Sequence, residues 1–170
     1  TVVPTPAKEE AEAAARELHL PGEGVDADTW EACRADVDDD HEFYEAMYPL
    51  VAERLAHLDE IPAKLAFLFW GDSVVLDEKS VQKVLLKEGA RADEALAICR
   101  GILADDDNPW DAEALEELCR AAGEEAGLKP KLLFQPLRVA VCGNMVSPPL
   151  FEAMMLMDPA DIVARIDGVT

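Results

Sequence analysis

Along most of the chain, apolar residues recur three, four and seven positions apart, the period of helices that bury one face. Phe43, Met47, Leu50, Val51, Leu55 and Leu58 form one such stripe from Asp40 onward. Pro49 inside it predicts a kink or an element boundary. Ahead of it, the Ala/Glu-rich stretch from Pro6 to His19 is broken by Leu20-Pro21-Gly22-Glu23-Gly24. Asp28 with Glu31 three residues later resembles a capping box opening a short helix through Trp30 and Cys33. A further helix is predicted from about Pro62 to Trp70, and Gly71-Asp72-Ser73 is a natural seam. It divides the chain into parts spanning 1–72 and 73–170. Beyond the seam, Asp77 is placed to cap a helix carrying Val81, Val84 and Leu85, and Ala92–Leu103 sets Leu96, Cys99 and Leu103 on one face. Asn108-Pro109 puts a good N-cap before a proline, predicting a helix over Trp110–Ala122 with Leu115, Leu118 and Cys119 inward. Ser147-Pro148 and Asp158-Pro159 carry the same start signal. With these caps and no hairpin signal, the expected fold class is all-α, a two-part helical bundle.

One segment stays open. Val139 and Val141 alternate with Arg138 and Ala140, so Leu137–Cys142 reads by periodicity as a short β-branched strand. Pro136 at a first helical turn and Gly143 just past the end argue instead for a two-turn helix.

Composition narrows the function classes. At 170 residues with 50% hydrophobic content the chain is long enough for one domain or two small ones, each with a core. No apolar run approaches the roughly 18 residues of a membrane span, and no secretory signal pattern opens the chain, so no membrane partner is expected. The first residue is Thr1, which reads as a processed or excised piece. Four cysteines at 33, 99, 119 and 142, without a C-x-x-C pair, read as free thiols in a reducing cytoplasm. The net charge of −21 argues against nucleic acid, since phosphate affinity comes from Lys and Arg. Its distribution changes that picture. Residues 1–60 hold 17 acids and 4 bases and residues 101–125 hold 9 and 1, whereas 61–100 and 126–170 balance. Between Gly127 and Leu150 there is no acid, but there are Lys129, Lys131 and Arg138.

Candidate chemistry is sparse. Asp36-Val37-Asp38-Asp39-Asp40 opens like a calcium loop but has His41 where Gly is needed and Met47 where Glu is needed. Asp105-Asp106-Asp107-Asn108 fails likewise. His19, His41 and His57 show no metal-ligand spacing, no Gly-rich phosphate loop occurs, and Ser73, Ser80 and Ser147 lie in no nucleophile elbow. No catalytic residue, metal ligand or cofactor site is expected in these 170 residues. Arg54 stands one residue off the apolar stripe, where it reads either as a salt-bridge partner on a solvated face or as a contact residue.

Read as a unit, Gly127-Leu128-Lys129, then Gln135-Pro136-Leu137-Arg138-Val139-Ala140-Val141-Cys142-Gly143, then Ser147-Pro148-Pro149-Leu150-Phe151, resembles the last third of the anticodon-binding region of bacterial glutamyl-tRNA synthetases. The family pattern there is a Gly-x-Lys approach, Q-P-[LI]-R-x-[AL]-[LV]-[TC]-G, a short loop and [ST]-P-x-[LI]-F. Upstream, Pro49 to Glu60 resembles the family's helix that ends in Arg and a T-L-x-E turn, and Leu65–Trp70 resembles its F-F segment. The resemblance runs from roughly residue 45 to 166. Pro149 stands where Gly is more usual, and the H-I-G-H and K-M-S-K-S motifs of the catalytic half do not occur.

The resemblance implies an α-helix cage receiving the anticodon loop of glutamate tRNA, with 1–72 and 73–170 as first and second anticodon-binding subdomains. It implies that Arg138, Ser147, Pro148 and Leu150 contact the middle anticodon base and that Arg54 reads the first base. Lys129, Lys131 and Lys64 would add phosphate contacts, and a helix opening at Pro148 would offer unpaired N–H groups. Ligation of glutamate to tRNA, with ATP and Mg, would belong to a catalytic domain of the same cytoplasmic polypeptide, leaving this chain inert alone. A class I lysyl-type synthetase, whose anticodon region has a related cage, is a further reading of the same resemblance. The acidity favours a different reading, a free-standing helical paralogue that serves as a protein-interaction domain without tRNA binding.

Overall fold

A computed structural model describes residues 46, 47, 49, 50, 64–87 and 89–170. The chain divides into two compact units, Thr1–Trp70 and Gly71–Thr170. In the first, Ala46, Met47, Pro49 and Leu50 are helical, and Met47 and Leu50 are buried, as their places in the apolar stripe predict. Lys64 and Leu65 are helical and lead into a 3₁₀ turn, Ala66–Phe69, that buries Ala66, Phe67 and Phe69. The predicted Pro6–His19 helix, the Asp28/Glu31 capping box and the acidic run at 36–40 lie outside the described residues.

The second unit is helical throughout, and no strand occurs among the described residues. Helix α1 (Glu78–Ser80) passes directly into a π-helical turn, Val81–Leu85. The Asp77 side chain caps it by accepting the Ser80 N–H at 2.8 Å, as the sequence predicts. Helix α2 spans Ala92–Leu103 with Leu96, Cys99 and Leu103 buried, the predicted bounds and face. Helix α3 spans Ala112–Glu125. Its cap is Asp111, accepting from the Ala114 N–H at 2.9 Å, and not Asn108, whose amide instead donates to the Ile102 carbonyl at 3.0 Å. Leu115 and Cys119 point inward on a buried row that continues to Gly123, four residues apart, and Leu118 lies to one side of that row and is 37% exposed.

Helix α4 spans Pro130–Cys142 and settles the open segment as helix. Its start lies six residues before Pro136, so that proline is interior and deprives the Leu132 carbonyl of its usual donor. The cost is met by packing. Leu133, Leu137, Val139, Ala140, Val141 and Cys142 are all at most 1% exposed, and α4 packs on α2, α3, the π-turn and α6. A lone strand's ladder has no partner here, whereas a helix satisfies its own backbone. Helix α4 ends at Gly143, whose φ of 81° is a left-handed conformation that L side chains rarely adopt. Helix α5 is short, Leu150–Met154, and α6 spans Pro159–Asp167 behind the predicted Asp158 cap.

The packing of α3 on α4 rests on a glycine. A Cβ at Gly123 would stand 2.6 Å from Cδ2 of Leu133, itself 1% exposed, so the helices touch where no side chain intervenes. Two effects compete in Gly123→Ala. Helix propensity gains about 1 kcal/mol, and overpacking a filled core costs about 1–3 kcal/mol. The second wins because buried Leu133 has little space into which to turn. Gly123→Ala is expected to lower the melting temperature by about 2–4 °C, taking a net loss of about 1 kcal/mol. Adding Leu133→Val should recover part of that loss. Thermal unfolding of the two variants tests this, and strictly additive losses would rule it out.

Candidate anticodon-binding surface

Arg138 lies on the outer face of α4, half-buried, and reaches across to the loop that follows. Its Nη1 donates to the Pro148 carbonyl at 2.9 Å, to the Ser147 carbonyl at 3.4 Å and to the Ser147 hydroxyl. That hydroxyl in turn donates to the Pro148 carbonyl at 2.8 Å. The loop from Gly143 to Pro149 is held from other sides as well. The Gly143 carbonyl accepts the Asp77 N–H at 2.8 Å, the Met145 N–H donates to Ser80 Oγ at 3.1 Å, and Asn144 Oδ1 accepts the Val146 N–H at 2.8 Å. The tip, Val146, is 83% exposed. The loop therefore has a fixed base and presents its apex to solvent.

The Ser147-Pro148 start signal misplaces the next helix. Ser147 spends its hydroxyl on Arg138 and Pro148, so α5 begins only at Leu150 with no side-chain cap. The expected row of unpaired N–H groups at Pro148 is therefore not formed there. Pro148 and Leu150 are buried, Leu150 at 4% exposure, and Ser147 is half-buried.

Beside this clamp is a cavity of about 200 Å³ walled by Phe134, Pro149, Leu150 and Phe151, with the Arg138 guanidinium and the carboxylates of Glu116 and Glu152 as its polar groups. Phe134 and Phe151 meet edge to face, centroids 5.4 Å apart. Arg120 stacks 5.3 Å over the Phe134 ring and pairs with Glu116 one helical turn away. A concavity with aromatic and apolar walls, one guanidinium and two carboxylates can hold a planar, hydrogen-bonding ring. Phe134 joins Arg138 at the cavity because the two, four apart, share a face once 130–142 is helical, and Phe151 is brought there by the loop that follows. Sequence reasoning missed them for want of that helix. Arg120 had a fainter signal, as the single base within the acidic 101–125 window.

The other predicted residues are scattered. Lys131 and Lys129 are exposed at the start of α4. Lys64 is half-buried in the first unit, and Arg54 lies outside the described residues. The three described thiols are buried. Cys119 against Cys99, together with burial, drives the Cys99 thiol far above its ordinary range, and burial pushes Cys142 up to about 11 despite Ser147 and Arg138 nearby. Neither Cys99 nor Cys142 is a nucleophile at neutral pH. Among the described residues no cluster of His, Cys, Asp and Glu is arranged to hold a metal, and no helix is long and apolar enough to cross a membrane.

Comparison with known proteins places the chain in a family. A family model described as an anticodon binding domain matches residues 12–170. The glutamate–tRNA ligase of Clavibacter michiganensis subsp. michiganensis is 41% identical over 132 residues, covering 76% of this chain and 25% of that protein. That of Cutibacterium acnes is 42% identical over 125 residues, covering 71% and 24%, and that of Bifidobacterium adolescentis is 35% identical over 155 residues, covering 89% and 29%. The crystal structure of a glutamate tRNA ligase from Elizabethkingia meningosepticum, in complex with its amino acid, superposes with a TM-score of 0.65 at 20% identity, over 95% of this chain and 30% of that one. This likeness bears out the all-α class. The chain spans about a quarter of the length of the curated relatives it matches. With a model matching nearly its whole length, the chain belongs to the anticodon-binding-domain family, in the branch represented by glutamate–tRNA ligases.

Proposed function

We propose that this chain receives the anticodon loop of a glutamate tRNA and serves as the tRNA-recognition portion of a glutamate–tRNA ligase. The observation that supports this most is the convergence of Arg138, Phe134, Leu150 and Phe151 on one cavity beside a clamped loop. Single-stranded RNA is read by splaying bases onto aromatic or apolar surfaces and bonding their edges to guanidinium or backbone groups. In this reading Arg138 and the Ser147, Pro148 and Leu150 loop engage the middle anticodon base, and Arg54 engages the first. Lys129, Lys131 and Lys64 neutralise phosphates. The two parts, 1–72 and 73–170, act as first and second anticodon-binding subdomains. Activation of glutamate with ATP and Mg, and its transfer to tRNA, belong to a catalytic domain of the same cytoplasmic polypeptide.

The test is a titration of the chain with a glutamate-tRNA anticodon stem-loop at low salt, beside a stem-loop changed only at the middle anticodon base. The altered loop is expected to bind at least ~10-fold more weakly, the equivalent of about 1.4 kcal/mol. Equal binding of the two would defeat the base-reading role. No binding of either would favour the acidic protein-interaction paralogue, the reading that the charge of −21 supports.

A further inference from the structure

A second concavity, of about 260 Å³, lies between the π-turn and α4. Lys83 and Lys87 stand on one side of it and Lys131 on the other, with Gln135 as a further polar group and Val84 and Met145 in its apolar floor. Three ammonium groups around one hollow repel each other, and no acidic residue among the described residues lines it. Three of the unit's arginines are matched to carboxylates, Arg91 with Glu94, Arg100 with Asp167 and Arg120 with Glu116, and Arg138 and Arg165 are held by carbonyls. In so acidic a chain, three lysines that form no ion pair among the described residues mark a face shaped for an outside anion.

The position says which anion. Lys131 and Gln135 lie one turn apart on α4 and border this groove, and Phe134 and Arg138, their helical neighbours, border the base cavity. Lys131 and Arg138 are seven residues apart, about 10 Å along the axis at 1.5 Å per residue. The Gly143–Pro149 loop serves both hollows, giving Met145 to one and Pro149 to the other. A strand whose base entered the cavity would therefore carry its backbone along the groove.

We propose that the groove of Lys83, Lys87 and Lys131 binds the RNA phosphodiester backbone next to the base held at Arg138. This rests on the anticodon-loop reading above and adds Lys83 and Lys87 to it. Backbone contacts position without reading sequence, and each one lost flattens the salt dependence of binding by about 0.7 in log–log slope for single strands.

The experiment titrates the 170-residue chain with the glutamate-tRNA anticodon stem-loop from ~50 to ~200 mM salt, the range over which phosphate contacts weaken most visibly. The Lys83→Ala/Lys87→Ala variant is expected to bind about 10-fold more weakly at the low end, with a slope about 1.4 shallower for two contacts at roughly 0.7 each. Its preference for the correct middle base should not change. Lys83→Arg/Lys87→Arg should keep both affinity and slope. If the alanine pair binds as the parent chain does while Arg138→Ala weakens binding, the groove is not the backbone path and the anticodon reading survives. A changed base preference in the alanine pair overturns the proposal, since it makes these lysines base readers. If the parent chain binds no stem-loop, both readings fall together.

Discussion

Arg165→Met is expected to lower the melting temperature of the chain by roughly 6–12 °C. Arg165 is 1% exposed. Its Nη1 donates to the Val141 carbonyl and its Nε to the Gly71 carbonyl, each at 2.7 Å. Val141 lies in the last turn of α4, where carbonyls have no intrahelical donor and the helix dipole is negative. Arg165 is thus the side-chain cap of α4, supplied from α6, and it ties that end to the start of the unit. Methionine fills similar volume and removes the cost of burying a cation, which offsets part of the loss. Two carbonyls remain without donors, at about 1–3 kcal/mol each, so a net cost of about 3 kcal/mol is expected. Arg165→Lys should fall between, because an ammonium keeps the charge but cannot span both carbonyls as the fork does. Thermal unfolding followed by circular dichroism measures this, and a methionine variant as stable as the parent would refute the capping role.

That role was invisible in the sequence for a physical reason. Arg165 and Val141 are 24 positions apart, and nothing in local periodicity says that a charged residue of one helix is swallowed at another's end. Local signals did better. The Asp77 and Asp158 caps and the span of α2 follow from short-range hydrogen bonding and a clear apolar stripe. Asn108-Pro109 and Ser147-Pro148 carry the same signal and fail, because a nearer or stronger partner takes the side chain. Asn108 finds the Ile102 carbonyl, and Ser147 finds the Arg138 guanidinium. The identity of the 137–142 segment was undecidable locally, since its apolar run is buried nearly all round and so shows no face. The family motif pointed to Arg138 and its loop. Their convergence with Phe134 and Phe151 needed the helix.

Acidity, the feature that most opposes an RNA partner, becomes part of the same account when its place is considered. The second unit's excess of acids is concentrated in residues 101–125, whereas α4 and its loop carry none before Glu152. Like-charge repulsion between most of this surface and RNA suppresses non-specific adhesion. Binding then depends on the few groups that make close contacts, so their removal should show clearly.

Arg138→Ala is therefore expected to weaken binding of the glutamate-tRNA anticodon stem-loop by roughly 10–100-fold, taking a charged hydrogen bond as about 1.5–3 kcal/mol. The loss has two parts. The guanidinium no longer faces the base cavity, and the carbonyls of Ser147 and Pro148 lose the donor that fixes the loop. Arg138→Lys separates them from simple charge: lysine keeps the cation, so the salt dependence should stay, but it lacks the planar fork and should lose preference for the middle base. Ser147→Ala should cost only a few-fold, because the bond from Arg138 to the Pro148 carbonyl at 2.9 Å still holds the loop. Helical content should be unchanged in all three, since Arg138 and Ser147 are only half-buried and the α4 core residues are untouched. Binding of the alanine variant equal to the parent's at low salt would move recognition away from this cavity. A loss in Arg138→Ala matched in full by Ser147→Ala would mean that loop geometry, and not the guanidinium, is what the RNA senses.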